Sequence, residues 1–137
     1  MNVQKVIREL EKRYPGKNVV ITDPKNPTEI ICEIEPGRNK SVAVAVVDET
    51  RLHYHKKLTE IYEVVKGELT MYIEGFKHVV GEGETITIKP GTKHKAFGHE
   101  TWINVYSTPG WTPEDHILVV EGKEISRKKF DKKFKKT

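Results

Sequence analysis

The chain of 137 residues contains one cysteine and no long apolar run. Cys32 has no partner for an internal disulfide, so stability must come from a hydrophobic core, which a chain of this length can bury. No run of about 18 apolar residues is present, which argues against a membrane-spanning helix. Charges interrupt the N-terminal segment where an export signal needs apolar residues. The unpaired cysteine and the absence of such a signal together predict a cytoplasmic protein.

Most of the chain also has little excess of either positive or negative charge. The net charge of +4 comes from 24 basic and 20 acidic residues. Much of the basic excess lies in residues 127–137, so the rest of the chain is close to neutral. A basic run with phenylalanines can contact RNA or anionic lipid. The spacing of Phe130 and Phe134 favours a short basic helix instead, and we expect neither nucleic acid nor a membrane as a partner.

The hydrophobic pattern changes once along the chain. An apolar stripe with helical spacing ends before Pro15 and predicts an N-terminal amphipathic helix. Beyond it, short segments with a period of two residues are separated by Gly and Pro, which predicts an antiparallel β-sandwich or barrel. We predict a single, mainly β domain over residues 1–137. It consists of an N-terminal helix (1–16), a barrel (28–108) and a C-terminal extension (109–137).

Three histidines and one glutamate are spaced as metal ligands. Residues two apart on a strand face the same side, so His53 and His55 can bind one ion. The odd step from His53 to Glu60 requires a turn or bulge at residues 56–59 if Glu60 is to join them. His94 can complete the set from a separate segment. A mixed nitrogen and oxygen set suits a divalent transition metal with open positions better than a closed structural zinc.

These ligands lie in a segment that resembles the cupin family. The first cupin motif is His-x-His, three or four residues, Glu, six residues, Gly. This chain has His53-x-His55, four residues, Glu60, six residues and Gly67, without a deviation. The glycine that commonly opens the motif falls at Val47 here and is absent.

The second cupin motif is Gly, five residues, Pro-x-Gly, two residues, His, three residues, Asn. This chain keeps its length from Gly83 to His94. Pro90 is displaced by one position, and Gly98 stands where Asn is usual. The departures lie in turns and involve none of the candidate ligands.

The resemblance implies an antiparallel jelly-roll β-barrel in which His53, His55, Glu60 and His94 point inward and bind one divalent transition metal ion. Iron, manganese, nickel and zinc all suit the set, and the sequence does not choose among them. The resemblance also implies a small-molecule ligand or substrate. Small cupins often pair through a barrel edge, so we expect a homodimer.

Side chains near the four ligands are candidates for the pocket and for catalysis. Glu60, Tyr62 and Val64 share a face of one strand, which places Tyr62 beside the metal. Glu60 or Tyr62 is the nearest candidate for a catalytic base. The predicted pocket residues are Tyr62, Val64, Met71, Ala96 and Trp102. Which face of the strand around Trp102 lines the barrel stays open.

The remaining histidines, His78, His99 and His116, match neither motif, and we expect each to be exposed. Trp111 either covers the barrel mouth or covers core. No strong phosphate-binding motif is present, and no second inward carboxylate can be placed from the sequence.

Three functions fit this pattern. The first is an isomerase or epimerase acting on a sugar, a sugar phosphate or another small polar metabolite, in which the ion polarises a carbonyl while a base moves a proton. The second is a metal-dependent dioxygenase, which shares the ligands and needs a redox-active metal. The third is a cupin that binds a small molecule without catalysis, because one fold hosts many functions.

Overall fold

A computed structural model describes residues 1–134 as two helices and an 11-stranded sheet. The last three residues of the predicted C-terminal extension, 135–137, lie outside this range. In chain order the elements are α1 Val3–Arg13, β1 Asn18–Ile21, β2 Glu29–Glu35, β3 Ser41–Glu49, β4 His53–His55, β5 Thr59–Lys66, β6 Leu69–Ile73, β7 Phe76–Val80, β8 Thr85–Ile88, β9 His94–Thr108, β10 His116–Val120, β11 Lys123–Ser126 and α2 Arg127–Phe134.

The sheet curls around one long strand, β9. This strand pairs antiparallel with β3, β4, β5 and β6, so it runs through the whole sheet. It runs through Gly98 without a break. Shifts of register opposite β9 let the sheet bend into an open barrel. The predicted mainly β fold, an antiparallel barrel with a helix at each end, is confirmed.

The predicted N-terminal helix is present as α1. The Asn2 side chain accepts a hydrogen bond from the Lys5 N–H at 3.2 Å and caps the helix. Val6 and Leu10 are buried against the outer face of the sheet. That face contributes the apolar residues Ile30, Cys32, Val44, Val46 and Trp102. Cys32 is a buried free thiol in this outer cluster.

A second apolar cluster fills the inside of the barrel. It contains Ala45, Val47, Tyr62, Val64, Leu69, Met71, Val80, Ile88, Ala96 and Ile103. The two clusters use opposite faces of the same strands, because successive side chains alternate across a sheet. The interior cluster forms the floor beneath the candidate site.

The C-terminal extension adds two strands that the sequence pattern did not predict. Residues 113–115 form a turn, and β10 then pairs with β4, the strand that carries His53 and His55. Ser126 caps α2, as its Oγ accepts a hydrogen bond from the Lys129 N–H at 3.3 Å. Neither helix within residues 1–134 is long and apolar enough to cross a membrane.

Candidate metal centre

The structure brings the four predicted ligands together. One potential ligand atom from each of His53, His55, Glu60 and His94 lies within 4.8 Å of the others. All four side chains are buried, and their residues are between 0% and 5% exposed. Direct pairing of β4 with β9 places His53 opposite His94. The predicted convergence of two strand histidines with a distant third is therefore present.

The predicted turn before Glu60 is held by a carboxylate from the C-terminal extension. Asp115 accepts hydrogen bonds from the backbone N–H groups of Lys57, at 2.9 Å, and Leu58, at 3.2 Å. These bonds satisfy donors that a turn between β4 and β5 leaves without strand partners. The chain can then re-enter the sheet with Glu60 facing the same side as His55.

Backbone carbonyls orient two of the imidazoles. The Nδ1 atoms of His53 and His94 lie 2.7 Å from the Arg51 carbonyl oxygen and 2.8 Å from the Thr92 carbonyl oxygen. A carbonyl only accepts, so in each ring Nδ1 carries the proton and Nε2 keeps its lone pair for an ion.

Several buried polar atoms of this cluster have no hydrogen-bond partner. They are both ring nitrogens of His55, Oε1 of Glu60 and Nε2 of His94. Buried groups of this kind are normally satisfied, because an unmade bond costs about 1–3 kcal/mol each. Their convergence fits a metal ion, which could accept a lone pair from one nitrogen of His55, from Oε1 of Glu60 and from Nε2 of His94. The cluster could therefore bind a metal, as cupins do.

Electrostatics favours the protonation states that metal ligands need. Burial, followed by the neighbouring His94 and His55, holds the pKa of His53 well below its usual value. Burial alone would raise the pKa of Glu60, but His55 and His94 outweigh it and leave that pKa well below normal. A neutral imidazole beside an ionised carboxylate is the donor set that divalent transition metals prefer.

A cavity of about 290 Å³ opens beside the cluster. His53, Glu60 and Tyr62 line one part of it. Burial, together with the Glu60 carboxylate, raises the pKa of Tyr62 well above its usual value, so the phenol keeps its proton. The apolar part of the lining comes from Val20, Ile31, Val42, Ala43, Ala45, Ile103 and Val105.

The cavity also contains a second inward carboxylate, Glu29, which sequence reasoning missed. Glu29, Ile31, Glu33 and Glu35 line the cavity from alternate positions of β2. The alternation was visible in the sequence, but the polar face was not recognised as the inner one. Burial, with a smaller contribution from Glu60, raises the pKa of Glu29 to about 7 against the opposing effect of Arg127. Glu29 can therefore exchange a proton near neutral pH.

The C-terminal extension forms another wall of the cavity, through Trp111, His116, Arg127 and Asp131. The expectation that His116 is exposed was wrong. Its half-buried ring stacks on that of His53 with the centroids 4.3 Å apart, because β10 pairs with β4. His78 and His99 are exposed, as expected.

The predicted pocket residues lie in three different places in the structure. Tyr62 lines the cavity, whereas Val64, Met71 and Ala96 are buried in the interior cluster. Trp102, which was predicted to line the pocket, does not face the cavity. It packs beneath α1, with the Arg13 guanidinium 4.9 Å from its ring centroid. The face of β9 that lines the cavity carries Ile103, Val105 and Ser107.

Comparison with known proteins identifies the family. Residues 31–101, just over half of the chain, match the family described as Cupin domain, and the chain belongs to this family. The uncharacterized protein MJ1618 of Methanocaldococcus jannaschii is 38% identical over 65 residues, which cover 45% of this chain and 52% of that protein. The match thus spans about half of that relative's length.

Solved structures share the fold at low sequence identity. A Streptomyces Pac13 variant with uridine is 14% identical, with a TM-score of 0.67 over 82% of this chain and 87% of that chain. KdgF from Halomonas sp. is 18% identical, with a TM-score of 0.59 over 63% of this chain and 84% of that chain. Oxalate decarboxylase from Bacillus subtilis is 15% identical, with a TM-score of 0.65 over 77% of this chain and 31% of that chain. These similarities show the cupin fold.

Proposed function

We propose that this cupin is a metal-dependent enzyme that moves a proton on a small, uncharged, hydroxylated metabolite, in the manner of an isomerase or epimerase. The observation that carries this proposal is Glu29, a carboxylate on the wall of the same cavity as the four-residue metal centre. Proton transfer at carbon needs a base poised near neutral pH and an electrophile for the adjacent oxygen.

Glu29 suits the role of base better than Glu60 or Tyr62. Glu60 is a candidate metal ligand, and its lowered pKa makes it a weak base. Tyr62 has a raised pKa and serves as a hydrogen-bond donor in this proposal. Glu29, with a pKa of about 7, can take up a proton and return it at another carbon of the substrate.

His53, His55, Glu60 and His94 would hold the ion, which supplies Lewis acidity toward a carbonyl or hydroxyl oxygen. We propose Fe, Mn, Ni or Zn as the metal, in line with the three imidazoles and one carboxylate. The chain's own residues orient the substrate and exclude water. Ile103 and Val105 supply an apolar wall, and Tyr62 a polar contact beside Glu60.

The charge of the cavity lining favours an uncharged substrate over a sugar phosphate. Five carboxylates line it: Glu29, Glu33, Glu35, Glu60 and Asp131. The one cationic residue of the lining, within residues 1–134, is Arg127. Its guanidinium lies 3.1 Å from the Asp131 carboxylate and donates to the Thr22 carbonyl oxygen at 2.6 Å. A phosphate would meet net repulsion there.

One structural neighbour supports chemistry of this kind. Pac13 is described as a nucleoside dehydratase. A dehydratase, like an isomerase, moves protons on a hydroxylated skeleton. We draw from this a candidate substrate range of free sugars and nucleosides.

The proposal is tested by deuterium exchange. The protein is loaded in turn with Mn(II), Ni(II), Zn(II) and Fe(II) and incubated in heavy water with neutral sugars and nucleosides. Nuclear magnetic resonance then detects deuterium at substrate carbons. Exchange that is lost in Glu29→Gln and kept in the exposed control Glu114→Gln supports the proposal. Absence of exchange with every substrate contradicts it, and oxygen uptake by the Fe(II) form would favour the dioxygenase.

We also propose that the protein is a cytoplasmic homodimer. Phe76 and Val79 on β7 are 73% and 54% exposed, and apolar side chains with such exposure support a protein contact at this strand. Light scattering after gel filtration gives the mass directly. A monomer at micromolar concentration would contradict the homodimer.

A further inference from the structure

His116 lies beside the metal centre without belonging to it. Its ring is nearly parallel to that of His53, at 14° and a centroid distance of 4.3 Å, and meets the His55 ring edge-on at 4.8 Å. Neither cupin motif contains it, and it is not part of the four-residue cluster. It nevertheless lines the cavity that opens from that cluster.

Trp111 determines which nitrogen of His116 carries the proton. The indole Nε1–H donates a hydrogen bond to Nδ1 of His116 at 3.0 Å. An indole N–H can only donate, so Nδ1 must offer its lone pair, and the ring proton resides on Nε2. The two ring nitrogens point in diverging directions, so the Nε2–H is directed away from Trp111. Within residues 1–132, whose side chains the structure describes, Nε2 of His116 makes no hydrogen bond.

We propose that His116 donates a hydrogen bond from Nε2 to an oxygen atom of the ligand bound at the metal centre. This inference rests on the proposed function for the presence of such a ligand. The bond would orient the oxygen and stabilise the negative charge that develops on it as the neighbouring carbon loses its proton. Trp111 acts through His116 and is a positioning residue.

The oxygen ligand acetohydroxamate serves as a probe, because its binding can be measured before any substrate is known. Calorimetry on the Ni(II)-loaded protein gives its affinity. In His116→Phe, which keeps an aromatic ring and removes the donor, we expect roughly tenfold weaker binding. His116→Gln restores a donor, so most of the affinity should return. Trp111→Phe should cost less, and the exposed control His78→Phe should change nothing.

A second measurement tests the protonation argument without a metal. Nitrogen chemical shifts of the metal-free protein should show His116 protonated at Nε2, and Trp111→Phe should shift it to a mixture of both neutral forms. A ring protonated at Nδ1 in the wild type would overturn the inference. This measurement tests the protonation argument, and the probe affinity of His116→Phe tests the contact with the ligand.

The remaining outcomes are equally decisive. Unchanged probe affinity in His116→Phe overturns the inference, as does loss of nickel in that variant, which would make His116 a ligand or a support of the centre. If the wild type keeps nickel but does not bind the probe, the centre has no open position and the proposed function fails as well. If His116→Phe binds normally while deuterium exchange continues, only this inference fails.

Discussion

Replacing His94 by alanine should remove most of the stability that a metal ion gives this protein. His94 is fully buried, and its Nε2 has no partner other than the centre. An ion present at about a hundred times its dissociation constant stabilises the folded state by about 2.7 kcal/mol. The unfolding entropy of a chain of 137 residues is about 0.29 kcal/mol/K. The metal should therefore raise the Tm of the wild type by about 9 °C.

The variant needs the same measurement, because His94→Ala also loses packing and the bond to the Thr92 carbonyl. Scanning calorimetry with and without the ion separates the two effects, since only the metal-dependent difference in Tm reports on the site. We expect that difference to fall below about 2 °C in His94→Ala. The control His99→Ala lies on the same strand with an exposed side chain and should keep the full shift. An undiminished shift in His94→Ala would refute the ligand assignment.

Three further predictions follow from particular contacts. Glu29 has a pKa of about 7 in the folded protein against an ordinary 4.5, so its contribution to stability is complete at low pH and is lost as pH rises through 7. Relative to Glu29→Gln, the metal-free wild type should lose up to about 3 kcal/mol of unfolding free energy between about pH 5 and about pH 8. Gly98→Ala should cost about 1–3 kcal/mol in urea unfolding, because a Cβ there would lie 2.8 Å from the Val47 carbonyl oxygen. Asp115→Ala should cost about 1–2 kcal/mol and weaken metal binding in a titration, since the turn before Glu60 loses its acceptor.

Matched variants sharpen these comparisons. Glu114→Gln should leave the pH dependence unchanged, and an equal pH profile for Glu29→Gln and wild type would contradict the Glu29 prediction. Gly81→Ala meets only the flexible end of Glu84 at 3.1 Å and should be nearly neutral. Asp23→Ala breaks a surface ion pair with Arg51 and should cost less than about 1 kcal/mol. Normal metal affinity in Asp115→Ala would show that the centre does not depend on this turn.

Three of the four candidate metal ligands were predictable from local spacing, and His94 from its place in the second cupin motif. His53 and His55 sit on one face of any strand that contains them, and the spacing to Glu60 requires the turn that the structure shows. The N-terminal helix was equally predictable, since helical spacing of apolar residues and a capping Asn2 act within a few turns. These features need no knowledge of how distant segments pack.

The cavity, by contrast, was decided by tertiary structure. Alternation along β2 predicts two faces but does not say which one is inside. Here α1 covers the apolar face that contains Cys32, and the polar face with Glu29 turns toward the metal centre. The same uncertainty misplaced Trp102, which lies under the helix.

The position of His116 depends on a pairing that no local pattern encodes. It reaches His53 only because β10 pairs with β4, about sixty residues earlier in the chain. Non-local pairing is selected by the packing of the complete sheet, and one residue's neighbours in sequence carry little information about it. The sequence by itself therefore determined the candidate metal ligands. The other side chains that line the cavity beside them were determined by the assembled barrel.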